Sequence, residues 1–239
     1  MNICVTGGAG FIGSHLVDRL IELGHDVLVI DNLSTGMRSF VHEDAQFIEM
    51  DVRDPKLLSV FEEFKPSIVF HEAAQTMVQS SMENPSYDCD VNLIGLINVL
   101  DACRKVNVEQ FLMPSSAAVY GDLAVLPLTE DLSGMPSSFY GLTKLTAEGY
   151  LRIYHEAFGL NTVCFRYANV YGPRQGDGGE GGVISIFNRL IVEGQPLTVF
   201  GDGEQTRDFI YVDDVVDANI KAMGNGQCTG IYNISTKIG

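Results

Sequence analysis

A tyrosine and a lysine stand four residues apart in the segment SSFYGLTKLTAEGY, as Tyr140 and Lys144. Apolar residues recur there at helical spacing, so the segment predicts a helix that carries both side chains on one face. A phenol is a poor base at neutral pH, and lowering its pKa by about three units requires roughly 4 kcal/mol of phenolate stabilisation. A neighbouring ammonium group is one source of it. The pair is either a catalytic couple or two surface neighbours, and the spacing alone does not decide.

Composition narrows the classes of protein to which the chain can belong. Its 239 residues can bury the core of one domain, or of one domain with a small second lobe. With 46% hydrophobic and 19% charged residues, it is neither disordered nor fibrous. The formal net charge of −16 argues against a nucleic-acid partner, because backbone phosphates are bound by clustered Lys and Arg.

The cysteines and the apolar runs bear on metals and on location. No Cys-x-x-Cys spacing and no cluster of His or Asp is visible, so neither a zinc site, another metal site nor a disulfide framework is predicted. The first apolar strand begins directly after Met1, and no apolar run approaches the length of a membrane span. We expect a soluble, cytoplasmic protein without a membrane partner.

Short β-branched runs alternate with longer helical ones, which is typical of a parallel sheet covered by helices. The chain order favours a Rossmann-type, doubly wound α/β fold with ligands at the carboxyl ends of the strands. Strands are predicted at 2–7, 25–31, 45–51, 66–74, 109–116 and 161–170, and helices at 11–23, 55–64, 84–106 and 139–158.

The regular alternation of predicted strands and helices ends after residue 172. A glycine-rich stretch, GPRQGDGGEGG, predicts a flexible loop, and a helix at 183–194 and short strands at 197–203 and 208–212 follow it. We expect residues 1–172 to form one domain and 173–239 to supply a small substrate lobe interleaved with it. The final segment predicts a strand without a covering helix, so the carboxyl-terminal part of this lobe is expected to be missing.

A glycine motif, VTGGAGFIGSHL, joins the first predicted strand to the first predicted helix. Gly7 permits a tight turn, Gly10 lets the backbone approach a pyrophosphate, and Gly13 lets helix and strand pack closely. The helix amino terminus offers unpaired N–H groups to the phosphates. A merely flexible turn is the alternative, but the strand-to-helix context favours dinucleotide binding by residues 1–172.

Asp31 ends the second predicted strand, where an acid accepts hydrogen bonds from the hydroxyls of the adenosine ribose. A carboxylate there would repel a 2′-phosphate, so NAD is favoured over NADP. A solvated aspartate at a strand end is the alternative, and the glycine motif makes it the weaker one.

Seven motifs now stand in order along essentially the whole chain: TGGAGFIG, DNLSTG, HEAAQ, SSAAVYG, YGLTK, RYANVYGPRQ and FGDGEQTRDFIYVDD. Together they resemble the extended short-chain dehydrogenase/reductase family, and within it the NAD-dependent nucleotide-sugar epimerases and dehydratases of the UDP-glucose 4-epimerase type. The resemblance implies that Tyr140 is the acid/base, Lys144 its electrostatic partner and Ser116 the hydroxyl that bonds the sugar oxygen. With a cofactor site beside them, the catalytic interpretation of the pair is favoured.

The resemblance also implies a set of cofactor-binding residues. The motif residues are Gly7, Gly10, Phe11, Ile12, Gly13, Asp31, Asn32, Ser34, Thr35 and Gly36, and the others are Asp51, Val52, Ala73, Ala74, Gln75, Asn92, Tyr140, Lys144 and Tyr167. For Asn92 a structural role, satisfying backbone groups, stays open.

For the substrate, the resemblance implies that Asn169 and Arg207 hold the diphosphate of a nucleotide sugar. The alternatives are a loop-stabilising amide and an ion pair between Arg207 and its neighbour Asp208. Val183 and Phe200 would border the nucleotide, or else be core residues.

The implied reaction is 4-epimerisation of a UDP-hexose, in which Tyr140 removes the 4-hydroxyl proton while C4 passes hydride to NAD, giving a transient 4-keto sugar. Dehydratases and decarboxylases of the family carry acidic residues beside the central hydroxyl, whereas Ser116 is followed here by Ala117 and Ala118. Another nucleotide-sugar enzyme, including a reductase, and a non-catalytic NAD-binding sensor remain alternatives. The identity of the sugar stays open.

Relatives commonly form homodimers by pairing the helix near residues 85–105 with the one near 140–158. Apolar residues surround the first of these, which is compatible with a homodimer and equally with burial against the sheet. They are Leu93, Ile94, Leu96, Ile97, Val99 and Leu100.

Overall fold

A computed structural model describes residues 1–123, 126–176 and 182–238 of the chain. Its central element is a seven-stranded parallel sheet. The strands of the sheet are β1 (Asn2–Thr6), β2 (Asp26–Asp31), β3 (Gln46–Glu49), β4 (Ile68–His71), β5 (Gln110–Ser116), β6 (Asn161–Tyr167) and β9 (Gly230–Ile234). They pair in the order β3-β2-β1-β4-β5-β6-β9. The predicted doubly wound α/β fold is confirmed.

Helices cover both faces of this sheet, because the strands of an all-parallel sheet are apolar on both sides. They are α1 (Phe11–Glu22), α2 (Leu57–Phe64), α3 (Val78–Glu83), α4 (Pro85–Cys89), α5 (Leu96–Val106), α6 (Phe139–Phe158), α7 (Val183–Val192) and α8 (Val212–Ala222). One face of the sheet packs with α2, α5 and α6, and the other with α1 and α8. None of the described helices is long and apolar enough to cross a membrane.

The strand order reverses between β1 and β4. From β1 the chain runs outward through β2 to β3, then returns to pair β4 on the other side of β1. On the two sides of such a point, the connections leave the parallel strands in opposite directions. This opens a crevice at the carboxyl ends of the strands. The glycine motif after β1 and the HEAAQ motif after β4 both lie at this crevice.

Helix α6 has the bounds that its sequence predicts. The Ser138 hydroxyl oxygen caps the amino terminus by accepting from the Gly141 N–H at 3.1 Å, and Gly159 ends the helix with a left-handed φ of +72°. A serine cap and a glycine stop are the ordinary signals for these two ends. The Tyr140 and Lys144 side chains therefore share a face, as the spacing predicts.

Several predicted elements differ from the structure. The single helix predicted at 84–106 is α4, a π-helical segment at Asp90–Gly95, and α5. Gly95 packs so closely on Val52 that an added Cβ would lie 2.9 Å from that side chain, and the wider turn occurs at this approach. The strand predicted at 161–170 is divided into β6 and β7 (Asn169–Tyr171), and β7 pairs with β8 (Phe209–Tyr211) in a separate two-stranded sheet.

The strand predicted at 197–203 is wrong. This stretch is irregular, and its apolar side chains Leu197, Val199 and Phe200 are exposed. The short helix α3 and helix α8 were not predicted. The first turn of α8 carries Asp213 and Asp214, at the positive end of the helix dipole, where acids are stabilising. Part of the predicted flexible loop, 177–181, lies outside the described residues.

Candidate active site

The glycine turn after β1 is packed too closely for a side chain at Gly7 or Gly13. Gly7 has a φ of +73°, and a Cβ on it would lie 2.4 Å from the Ala73 nitrogen. A Cβ on Gly13 would lie 2.2 Å from the Gly7 carbonyl oxygen. At Gly10 the nearest atom would be 3.2 Å away, so the turn is more open there. Gly7 and Gly13 therefore allow the close packing of the turn, and the turn stays accessible at Gly10.

Helix α1 begins at Phe11 with no side-chain cap and no acid in its first turn. The N–H groups of its first turn and the positive end of its dipole thus face the crevice without a carboxylate. An anion fits this position, and the predicted residues Phe11, Ile12 and Gly13 supply the N–H groups.

Asp31 lies beside the glycine turn and is buried. Its carboxylate accepts hydrogen bonds from the Ala9 N–H at 3.0 Å and from the Leu33 N–H at 2.8 Å. Asp31 therefore connects the glycine turn to the loop that follows β2. Gly36 approaches Ala9 so closely that a Cβ would lie 2.9 Å from its carbonyl carbon. Ser34 and Thr35, in the same loop, are exposed.

The next predicted residues form a polar cluster around Asp51. Asn32 donates to the Asp51 carboxylate at 2.8 Å, and the Arg53 guanidinium donates to both of its oxygens. The Arg53 hydrogen bonds hold the pKa of Asp51 well below its ordinary value. Val52 is buried behind the cluster, and its carbonyl oxygen accepts from Asn98 at 2.7 Å. The Asp51 carboxylate, just after β3, is thus ionised and held in one position.

The predicted catalytic groups meet at the carboxyl ends of β5 and β6. Tyr140 and Lys144 are buried, and the Lys144 Nζ lies 5.9 Å from the centre of the Tyr140 ring. The Ser116 hydroxyl lies close enough to the Tyr140 phenol to lower its pKa. The close approach depends on Gly141, where a Cβ would lie 2.6 Å from the Ala118 carbonyl oxygen.

Burial dominates the electrostatics of Tyr140. Burial, with a smaller contribution from the Asp88 carboxylate, raises its pKa to about 12, and the Ser116 hydroxyl partly offsets this rise. Lys144 is itself buried, which lowers its pKa. Within the chain, desolvation of the phenolate is the largest effect on Tyr140. Stabilisation of the phenolate by Lys144 together with a positive nicotinamide ring stays a prediction.

Asp88 was not predicted, although it connects three parts of the site. It is fully buried and accepts from the Gln75 amide at 2.7 Å, from the Asn92 amide at 3.2 Å and from the Thr143 hydroxyl at 2.8 Å. Asn92 also exchanges hydrogen bonds with the backbone of Gln75, the structural role weighed for it from the sequence. The helical spacing of Asp88 and Asn92 was the available signal.

A buried ion pair was also missed. Glu148, one turn after Lys144, pairs with Arg166 at 2.8 Å and accepts from the Ser115 hydroxyl at 2.6 Å. Arg166 also donates to the Tyr120 hydroxyl at 2.8 Å. Glu148 of α6 thus contacts Ser115 of β5 and Arg166 of β6, the residues that come directly before Ser116 and Tyr167.

Tyr167 ends β6 and is buried, and its hydroxyl oxygen accepts from the Asn219 amide at 2.7 Å. It stands opposite Ser116 in the β5–β6 register. The predicted residues Ala73 and Ala74 lie in the loop after β4, beside the glycine turn. These placements bring the predicted cofactor residues to one edge of the sheet.

The predicted substrate residues lie on the second, two-stranded sheet and around α7. The Asn169 amide donates to the Asp208 carbonyl oxygen at 2.9 Å, and Arg207 is exposed and donates to the Thr206 carbonyl oxygen. The described side chains form no ion pair between Arg207 and Asp208, so that alternative is wrong. Val183 is 43% and Phe200 81% exposed, so neither is a core residue.

Whether a dinucleotide fits this chain can be judged from three observations. The glycine turn excludes a Cβ at Gly7 and Gly13, α1 presents an uncapped amino terminus, and a buried carboxylate stands at the end of β2. Together they suit a pyrophosphate followed by a ribose, so the residues present fit NAD. Among the described residues, no group of three or more His, Cys, Asp or Glu could hold a metal ion.

Comparison with known proteins adds to this geometry. The sequence profile of the NAD dependent epimerase/dehydratase family matches residues 3–235. A relative named putative UDP-glucose 4-epimerase, from Methanocaldococcus jannaschii, is 46% identical over 92% of this chain and 73% of its own length.

Two solved structures are similar over nearly the whole chain. The UDP-glucose 4-epimerase of Thermotoga maritima with UDP-glucose is 43% identical, with a TM-score of 0.96 over 100% of this chain and 78% of its own. The UDP-glucose 4-epimerase of Thermus thermophilus in complex with NAD is 41% identical, with a TM-score of 0.93 over 99% of this chain and 78% of its own.

Proposed function

The chain belongs to the NAD dependent epimerase/dehydratase family, and on that premise we propose that it interconverts the 4-epimers of a UDP-hexose of the UDP-glucose/UDP-galactose type. The observation that carries the proposal is the buried pair of Tyr140 and Lys144, with the half-buried Ser116 beside it, at the sheet edge that also bears the glycine turn. Two solved structures with this overall fold are named UDP-glucose 4-epimerase.

NAD, when bound, supplies a hydride acceptor and donor for the sugar C4. The chain itself handles the proton. The Ser116 hydroxyl lies beside the Tyr140 phenol, so one sugar hydroxyl can contact both side chains. Tyr140 takes the proton of the 4-hydroxyl as the sugar is oxidised and returns it when the opposite epimer forms.

For Tyr140 to act as a base near neutral pH, its ionisation must be helped. Burial holds its pKa at about 12 in the chain alone, so the phenol is protonated there. The Lys144 ammonium, 5.9 Å from the ring centre, and the positive charge of an oxidised nicotinamide both favour the phenolate. The site is therefore proposed to become active only when the cofactor is bound.

Epimerisation is favoured over dehydration and decarboxylation by the turn after Ser116. The two following residues, Ala117 and Ala118, form a tight 3-10 turn whose amide N–H bonds back to the Ser116 hydroxyl oxygen at 3.2 Å. Methyl groups cannot protonate a leaving hydroxyl, so a dehydratase would lack its acid there. A reductase that uses NADPH is disfavoured by Asp31.

For the substrate we propose a UDP-sugar whose diphosphate is held by Asn169 and Arg207. Arg207 is exposed, and its planar guanidinium suits a bidentate contact with phosphate oxygens. The five free cysteines fit a cytoplasmic location, where thiols stay reduced. The excess of acidic residues disfavours nucleic acid as a partner.

A homodimer is proposed from an exposed apolar surface on α4, the π-helical segment and α6. It includes Ile94 at 53%, Phe139 at 42% and Leu142 at 49% exposure, with Leu93 half-buried beside them. Leu96, Val99 and Leu100 are buried within the chain, so only part of the apolar set named from the sequence is left for a partner. We call this surface the α4/α6 face.

The test is to incubate the protein with NAD and, separately, UDP-glucose, UDP-galactose, their N-acetyl forms and UDP-glucuronate, and to identify products by NMR. The proposal expects interconversion of 4-epimers without net NADH. A 4-keto-6-deoxy or decarboxylated product would replace it with a dehydratase or decarboxylase. Binding of NAD with no product from any sugar would favour a non-catalytic NAD-binding protein.

A further inference from the structure

Glu72 is a half-buried acid whose Oε1 is fully buried, and neither the proposed mechanism nor the predicted site uses it. It follows the last residue of β4, at the reversal of strand order, and its backbone N–H donates to the Thr6 carbonyl oxygen at 2.9 Å. A Cβ on Gly7 would lie 2.6 Å from the Glu72 carbonyl carbon, so the glycine turn packs directly on its backbone. The residue stands between the proposed pyrophosphate and catalytic positions.

The Glu72 carboxyl group is incompletely satisfied. Its Oε1 is buried and has no hydrogen-bond partner among the described residues. Buried side-chain oxygens in native proteins nearly always have a partner, and an orphan at a ligand crevice indicates a group that the ligand satisfies. The polar positions around Asp31, Asp51 and Asp88 all have their partners within the chain.

Two titratable groups interact with the Glu72 carboxyl group, one from each neighbouring element. They are the Lys144 ammonium of α6 and the Tyr167 phenol of β6. Lys144 is already engaged, because its Nζ donates to the Pro114 carbonyl oxygen at 3.0 Å, and the Tyr167 hydroxyl bonds to Asn219. Asp88 and Glu148 also act on Lys144, so its positive charge is shared among several acids.

From this placement we propose that Glu72 is a further residue of the cofactor site, and that its carboxylate is the counter-charge by which the site prefers the oxidised, positively charged nicotinamide to the reduced form. The inference rests on NAD binding in the proposed function. An epimerase that held the reduced cofactor without an oxidised sugar would be idle, so a preference for the oxidised form keeps the site ready for substrate.

Proton exchange gives this inference a measurable signature. Burial raises the pKa of Glu72 to about 7, and Lys144 partly offsets that rise. At pH 7 the carboxyl group of the free chain is therefore about half protonated. A positive ring beside it favours the ionised form, so binding of NAD⁺ should release about half a proton, whereas NADH should release none.

The experiment is calorimetric titration of NAD⁺ and of NADH into cofactor-free Tyr140→Phe protein at pH 7, in two buffers of different ionisation enthalpy. The Tyr140→Phe background removes the phenol proton from the count. We expect proton release with NAD⁺ only. Adding Glu72→Gln should abolish this release and reduce the ratio of NAD⁺ to NADH affinity about tenfold, one pKa unit of interaction.

Two control variants make the result decisive. Glu72→Asp keeps the charge and should retain proton release, and Glu63→Gln, an exposed acid on α2, should change neither quantity. Proton release that persists in Glu72→Gln, or equal losses of NAD⁺ and NADH affinity, would overturn the role of Glu72 while leaving NAD binding intact. Failure of the parent protein to bind either dinucleotide would overturn the proposed function as well.

Discussion

The Lys144 ammonium donates a hydrogen bond to the carbonyl oxygen of Pro114, 3.0 Å away, from a side chain that is 5% exposed. Pro114 lies in β5, two residues before Ser116. The lysine of α6 is thereby fixed to the strand that carries the serine. This bond opposes any shift of α6 against β5, which would move Tyr140 and Lys144 relative to Ser116. A fixed mutual geometry of this kind is what proton transfer requires.

The glycine turn gives a prediction for Gly13. In Gly13→Ala the new Cβ would lie 2.2 Å from the Gly7 carbonyl oxygen, so the turn must open. We expect at least a tenfold loss of NAD affinity in calorimetry, with a stability cost of about 1–3 kcal/mol in urea unfolding. Gly149→Ala is the control, because its Cβ meets nothing within 4 Å, and it should stabilise α6 by about 0.5–1 kcal/mol. Unchanged NAD affinity in Gly13→Ala would contradict the role of the glycine turn in binding the dinucleotide.

The buried ion pair behind the site gives a prediction for stability. Glu148→Gln leaves the Arg166 guanidinium buried without its counter-charge, and we expect a loss of about 3–5 kcal/mol in the free energy of unfolding. Glu156→Gln removes an acid from an exposed pair with Arg152 and should cost less than about 1 kcal/mol. Urea unfolding measures both, and equal costs would show that burial of the first pair has no energetic consequence.

The raised pKa of Glu72 predicts how stability depends on pH. Between the ordinary value of 4.5 and the folded value of about 7, the folded chain holds a proton that the unfolded chain has lost. Stability from this group is full below pH 4.5 and falls as pH rises to 7, by up to about 3 kcal/mol. Glu72→Gln should therefore stabilise the protein more at pH 8 than at pH 4. A constant difference across this range would mean that Glu72 titrates normally.

The α4/α6 face gives a prediction for assembly. Leu142→Glu places a charge at its centre, so we expect the variant to be monomeric in analytical ultracentrifugation at a concentration where the parent protein is dimeric. Leu23→Glu is the matched control, because Leu23 at the end of α1 is similarly exposed, at 46%. A parent protein that is already monomeric would exclude this interface.

Local signals in the sequence were sufficient for much of the fold. The strand pattern, the glycine turn and the capped helix α6 were predicted because each depends on neighbours along the chain. The π-helical segment and the division between β6 and β7 were not, because they follow from contacts such as that of Gly95 with Val52, which are remote in sequence.

The chemistry of the site was less predictable. Tyr140 and Lys144 were proposed from their spacing together with the family motifs, but the direction of the tyrosine pKa depends on burial and on Asp88, which no local pattern reveals. Glu72 lies inside a quoted motif, yet its missing hydrogen-bond partner is visible only when β4, β6 and α6 are placed together. Partners from several elements decide such groups.

The central claim, that Tyr140 is the acid/base of a 4-epimerase, is tested most directly by following conversion of UDP-glucose to UDP-galactose by NMR in the NAD-loaded protein and in Tyr140→Phe. We predict a loss of about 10²–10⁴-fold in rate, the usual contribution of a general acid/base, with NAD affinity and unfolding free energy near those of the parent. A Tyr140→Phe protein that epimerises at the parental rate would contradict the account.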